Sequence, residues 1–229
     1  MKRGISQEWL KVIACITMLL DHIGAIFVPG IPLRAIGRLA FPIYCFLLAE
    51  GVSHTRSPGK YALRLLIGAL IAELPFDLCL FGTVDFWHQS VMVTLLLGFC
   101  ALQCMKQVAN PVLKLLSAVP FVVLAKYVHC DYGMFGVLMV VLFGITRELR
   151  GRSVLQFLGM VIMCMLKTSR TLFVVLGVPI TLQMVAALSI IPIALYSGEK
   201  RTNSKLLQWG FYLFYPVHLL VLHLLKGFV

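Results

Sequence analysis

Short polar stretches cut this chain into apolar runs that are too long and too evenly hydrophobic for the surface of a water-soluble domain. Nine such runs can be drawn, over residues 9–29, 33–53, 60–80, 89–105, 110–128, 132–147, 153–167, 178–196 and 206–225. A helix needs about 17–25 apolar residues to cross a bilayer, and several of these runs lie near the lower limit. A β-barrel would need short alternating segments instead. Unpaired backbone is costly in hydrocarbon, which leaves helices as the reading. The expected fold class is therefore all-α, a polytopic transmembrane bundle of about nine helices forming one domain over residues 1–229. The stretch TSRTLFVVLGVPI (168–180) fits a loop, a re-entrant piece, or the start of a longer helix kinked at Pro179. Eight or ten helices are therefore also compatible with the pattern.

Composition points the same way. Hydrophobic residues make up 60% of the chain and charged residues 13%, against about 25% charged in soluble domains. The mean hydropathy is +0.95. The opening MKRG followed by an apolar run resembles a signal peptide. The run is too long for one, contains Asp21 and His22, and has no small-x-small site after it, so a retained first helix is expected. The seven cysteines include no C-x-x-C pair, which gives no support to a zinc or thioredoxin-like site. Only Cys130, in HCDYG, has a polar setting; the others read as small hydrophobes within helices.

The net charge of +11 suggests nucleic acid at first sight, but its distribution suggests a membrane. With nine spans and a cytoplasmic N-terminus, 14 of the 20 basic residues fall on the cytoplasmic side, among them Lys2, Arg3, Lys11, Arg56, Lys60, Arg64, Lys106, Arg147 and Lys200. Six fall outside: Arg34, Arg38, Lys126, Lys167, Arg170 and Lys226. That asymmetry is the positive-inside pattern. It predicts a multi-pass protein of the inner (plasma) membrane, with lipids and no nucleic acid as partners.

Ionisable groups inside a membrane are expensive and mark functional sites. Asp21 lies twelve residues beyond Trp9, ~18 Å into a core ~30 Å thick, so Asp21 and His22 sit past the midplane. Neighbours on a helix point ~100° apart, so each needs its own partner on another helix. The second run opens with Arg34 and Arg38, four apart on one face, and the third closes with Glu73 and Asp77, also four apart, around Pro75. His88 and His129 flank short outer segments, and the last run carries Tyr215 and His218 in its outer half. Arg34 and Arg38 either snorkel to head groups, pair with Glu73 and Asp77, or line a polar cavity with them. Glu50 lies at the opposite end among basic residues.

The segments LKVIACITMLLDHIGAIF (10–27), LRAIGRLAFPIYCFLLAEGVSHTR (33–56), KYALRLLIGALIAELPFDLCLFG (60–82), YGMFGVLMVVLF (132–143) and FYLFYPVHLLVL (211–222) resemble the TraX family of integral membrane proteins. The combination D-H-I-G, G-R-L-A-F-P, A-E-G, E-L-P-F-D and F-Y-P-x-H, in that order, carries the likeness. The resemblance implies a membrane acyltransferase: TraX is associated with N-acetylation of the amino terminus of conjugative pilin, and the wider class includes enzymes that acylate glycans. It further implies an acetyl group moving from cytoplasmic acetyl-CoA, as donor and without a metal, to an acceptor at the outer face. The acceptor would be a protein amino terminus or a glycan.

Such transfer needs a base, an oxyanion stabiliser and a held donor. His22 is the expected base, oriented by Asp77 or Asp21, and a covalent acetyl-His22 relay is the variant. Arg34, Arg38, Glu73, His218 and Tyr215 are expected to bind substrate or oxyanion. Because CoA is cytoplasmic and His22 lies toward the outside, the pantetheine arm would thread between helices with its phosphates on Arg56, Lys60 and Arg64. A small proton-coupled transporter relaying protons through Asp21, His22, Glu73 and Asp77 is the alternative. No two-fold repeat supports it, and 229 residues is small for a rocking mechanism unless the protein is a homo-oligomer.

Overall fold

The computed structural model describes residues 4–28, 30–167, 169–175, 177–202 and 204–228. The chain is all-α apart from one two-stranded hairpin. Helix α1 (Gln7–Ile26) starts at Ser6, whose Oγ accepts from the Trp9 N–H, and has Glu8 in its first turn. Lys2 and Arg3 lie outside the described residues.

Proline position explains where the helices break. A proline ring clashes with the carbonyl four residues earlier. The second run divides into α2 (Ile31–Gly37) and α3 (Ala40–His54) at the point that Pro42 disturbs. The fifth run divides into α6 (Pro111–Leu116) and α7 (Val119–Tyr127), where Pro120 does the same. Helices α4 (Pro58–Leu80) and α11 (Lys205–Lys226) instead continue through Pro75 and Pro216. Between them in sequence lie α5 (Val91–Lys106), α8 (Gly133–Thr146), α9 (Arg152–Leu166) and the short α10 (Ile190–Ala194).

Of the readings left open for 168–180, the start of a kinked helix is excluded by a hairpin among the described residues. Strands β1 (Thr171–Val175) and β2 (Val178–Thr181) pair antiparallel. Gly177, at φ +80°, makes the turn between them, and Pro179 sits in β2. The expected span 178–196 is also not one regular helix. It is β2, then a 3-10 segment (Leu182–Ser189), then α10.

Counting α2–α3 and α6–α7 as one span each, successive spans run up and down. One end of the bundle, here called basal, carries Gln7, His54, Pro58, Lys106 and Lys205; the distal end carries Ile26, Ile31, Leu80, Val91 and the hairpin. Helix α8 is central, packed against α3, α5, α7 and α9, while α1 packs on α2, α3 and α11, and α11 on α4. Val137, Met139, Val140 and Phe143 of α8 are buried, and the buried residues join into one apolar cluster.

The outside is apolar too. Leu63, Leu66, Leu70 and Leu74 form an exposed stripe on α4, with counterparts Val154, Leu158 and Ile162 on α9 and Val217, Val221 and Leu224 on α11. Water would penalise such stripes heavily. Helix α1 and the α2–α3 segment (Ile31–His54) are long and apolar enough to cross a bilayer. This is a membrane protein.

Candidate active site

A cavity of about 780 Å³ lies between α1, α3, α4 and α11. The α1 residues that line it run from Gln7 to Ala25, a rise of ~27 Å. It therefore extends along the bundle from the basal end to the distal end. Its basal mouth is formed by Glu8, Lys11, Arg64 and Lys200, its middle by apolar side chains such as Met18, Leu47, Leu48 and Leu95, and its distal end by Asp21, His22, Arg34, Arg38 and Tyr132.

At the distal end, Asp21 bridges two arginines. Arg34 Nη1 donates to Asp21 Oδ2 at 2.7 Å, and Arg38 Nη2 donates to Oδ1 at 2.9 Å and Oδ2 at 3.0 Å. Arg34 Nη1 also donates to the Asp21 carbonyl at 3.2 Å. The close crossing of α1 and α2 makes this possible: a Cβ on Gly37 would collide with the Asp21 side chain. The arginine pair therefore serves the first helix. It is not paired with Glu73 and Asp77, one of the arrangements the sequence left open.

Those two acids hold a loop instead. Glu73 accepts from the Ser90 N–H at 3.0 Å and 3.1 Å, at the start of α5, where the helix dipole favours a carboxylate. Asp77 Oδ2 accepts from the Asp85 N–H at 2.9 Å, and its buried Oδ1 has no hydrogen-bond partner among the described residues. Together they fix the 82–90 segment over the distal end, with His88 on the cavity wall. Neither acid lines the cavity or orients His22.

His22 is oriented by a second histidine. His218 Nε2 lies 3.0 Å from His22 Nδ1, and His218 Nδ1 lies 2.7 Å from the Phe214 carbonyl. A carbonyl has no proton to give, so His218 Nδ1 is the donor there and, in the neutral ring, Nε2 accepts. His22 Nδ1 must then donate to His218. This hydrogen-bond network assigns His22 the tautomer with its lone pair on Nε2. His22 lines the cavity, whereas His218 stands behind it and is not on the wall. Tyr215 lines the cavity beside His22, with ring centroids 6.4 Å apart.

Among the basic residues expected to meet phosphates, Arg64 is at the mouth, with its guanidinium 5.3 Å from the Tyr61 ring centre. Arg56 and Lys60 do not line the cavity. Sequence reading missed Lys11 and Lys200, which do; Lys11 Nζ lies 5.2 Å from the Phe211 ring centre. Their position, one turn into α1 and just before α11, is a signal only once α1 and α11 are known to be neighbours.

Tyr132 was also missed as a site residue. It takes φ +63°, a left-handed conformation costly for a bulky side chain and concentrated at functional sites. Its ring stacks on Phe41 with centroids 3.8 Å apart, and its hydroxyl oxygen accepts from Arg38 Nη1 at 3.5 Å. Beside it, in the loop before α8, the exposed Asp131 lines the cavity, and its Oδ1 accepts from the Tyr132 N–H at 2.9 Å. Glu50 belongs to neither end of the site: it is buried and pairs with Arg147 at 2.9 Å. Cys130 is buried, its thiol directed to the Ala125 carbonyl.

The chain is 32% identical over its full length, and over the full length of the other protein, to a probable fimbrial assembly protein, FimC of serogroup H1, from Dichelobacter nodosus. It is 32% identical over 95 residues to an uncharacterised protein of Rickettsia prowazekii, covering 41% of this chain and 35% of that one. No solved structure matches the chain significantly. The family model of the TraX protein matches residues 6–226, which include α1 through α11 with every residue of the cavity wall, and this chain belongs to the TraX family.

Proposed function

We propose that this protein is a multi-pass inner-membrane acetyltransferase that carries an acetyl group from cytoplasmic acetyl-CoA to an acceptor at the outer face. The carrying observation is the cavity itself, which extends from a basic mouth to a histidine whose Nδ1 is held by His218. The basal end faces the cytoplasm in this reading, in keeping with its lysines and arginines. Lys11, Arg64 and Lys200 receive the CoA phosphates, and the apolar middle takes the pantetheine arm.

The thioester then lies near His22. The acceptor's nitrogen or oxygen attacks the carbonyl carbon while His22 Nε2 takes its proton. His218 accepts from Nδ1 and steadies the imidazolium that forms. Arg38 and the Tyr132 hydroxyl face the developing oxyanion. The C–S bond breaks, and His22 returns the proton to the departing thiolate. The likeness to a protein named for fimbrial assembly supports a pilin-type subunit as acceptor, acetylated at its amino terminus.

The test is acetyl-CoA binding and turnover by purified protein in detergent, wild type against H22A. Specific binding by both, with turnover lost in H22A, supports the assignment. Failure of folded wild-type protein to bind acetyl-CoA overturns it and directs attention to solute flux in proteoliposomes.

A further inference from the structure

A second cavity, of about 380 Å³, opens at the distal end between the α1–α2 turn and the base of the β-hairpin. Its wall includes Gly24, Gly30, Leu182, Arg170 and Arg34. Arg34 and Ala25 also line the central cavity, so the two spaces share a border at these residues. Only its Nη1 is used by Asp21; its Nε and Nη2 have no hydrogen-bond partner among the described residues. Arg170 is held at the pocket by the hairpin, because its carbonyl accepts from the Leu182 N–H at 2.8 Å. Its side chain is exposed and makes no ion pair among the described residues.

The charges do not balance. One carboxylate, Asp21, serves two guanidinium groups, and the wall of the second cavity contributes Arg170 with no acid. A cationic surplus at the edge of a low-dielectric region calls for an anion, and paired guanidinium groups suit the planar, two-pronged geometry of carboxylate or phosphate.

We infer that this second cavity is the acceptor's way in, and that it selects acceptors carrying a carboxylate or phosphate close to the group that is acetylated. Arg170 is the outer anchor and Arg34 the inner one. Donor and acceptor thus reach His22 from opposite ends and meet at Arg34. The inference rests on the acetyltransferase reading for the word acceptor, while the anion site stands on its own geometry.

The experiment measures binding of three probes to wild-type, R170A, R170E and R170K protein in nanodiscs of neutral lipid: inorganic phosphate and L-glutamate, each with CoA present in excess to fill the basal mouth, and acetyl-CoA by itself. At least one of the two anions is expected to bind wild type. R170A should weaken it about ten-fold, R170E more, and R170K should restore part of it. Acetyl-CoA binding should be equal in all four, since Arg170 is absent from the central cavity; that equality also shows that the variants fold. Anion binding undiminished in R170A, or absent from wild type, overturns the inference. Repeating the series with phosphatidylglycerol in the disc separates sources: Arg170-dependent binding of the lipid alone assigns the pocket to a head group and overturns the acceptor role. Arg170-dependent anion binding without acetyl-CoA binding would uphold the anion site, overturn its acceptor role, and sink the transferase reading.

Discussion

His218 Nε2 accepts a hydrogen bond from His22 Nδ1 at 3.0 Å, across 196 residues of sequence. His22 lines the cavity, and its Nε2 has no side-chain hydrogen-bond partner among the described residues. If it is the base, H22A should lower turnover by about 10²–10⁴-fold without weakening acetyl-CoA binding. H218F should cost about ten-fold, and H218Q less, because a glutamine oxygen can still accept from Nδ1. Steady-state kinetics with a pH profile checks this; equal losses in H218F and H218Q with an unchanged profile would reduce His218 to packing.

Asp21 is the only carboxylate within ion-pair distance of Arg34 and Arg38 among the described residues. Removing its charge strands two guanidinium groups. D21N should therefore destabilise by about 2–3 kcal/mol, below the 3–5 kcal/mol of a fully buried pair because these side chains keep partial exposure. Thermal unfolding in detergent measures it. The analogous E73Q should shift unfolding less, since its partner is a neutral N–H.

Gly37 permits the α1–α2 crossing. G37A places a methyl against Asp21 and should cost about 1–3 kcal/mol through overpacking. Turnover should fall with stability, because the shift moves Asp21, Arg34 and His22 together. Gly210, inside α11 with open space around its missing side chain, is the control: G210A should raise stability by about 0.5–1 kcal/mol, the opposite sign to G37A.

The basal mouth discriminates among basic residues. K11A or K200A should raise the KM for acetyl-CoA about ten-fold, equivalent to ~1.4 kcal/mol each, with kcat little changed. R56A and K60A should leave KM where it is, since neither side chain lines the cavity. Dephosphorylated acetyl-CoA, which lacks the 3′-phosphate, should narrow the difference between wild type and K11A or K200A. An unaltered KM in both lysine variants would remove phosphate binding from this mouth.

Much of the helical framework was written locally. Apolar runs of helical length depend on neighbours a few residues away, and they placed α1, α4, α5, α8, α9 and α11 within a few residues; caps such as Ser6 and Ser204, equally local, went unread. Asp21 and His22 stood out because an ionisable group amid apolar residues is costly wherever it lies. The hairpin was hidden by its own composition: β-branched residues and phenylalanine around Gly177 are as apolar as a helix, and only the turn at Gly177 and the strand position of Pro179 separate the two.

What sequence could not decide was pairing. Four-residue spacing puts Arg34 beside Arg38 and Glu73 beside Asp77 whichever helices touch, and by charge an arginine pair suits Asp21 as readily as the Glu73–Asp77 pair. Tertiary packing chose Asp21 for the arginines, because Gly37 lets α1 approach α2, and gave Glu73 and Asp77 to the backbone of the 82–90 loop. It likewise put Lys11 and Lys200 at one mouth and His218 behind His22. Sequence determined that polar groups would be buried and on which segments. Only the three-dimensional arrangement, in which helices distant in the chain become neighbours, determined which group each would meet.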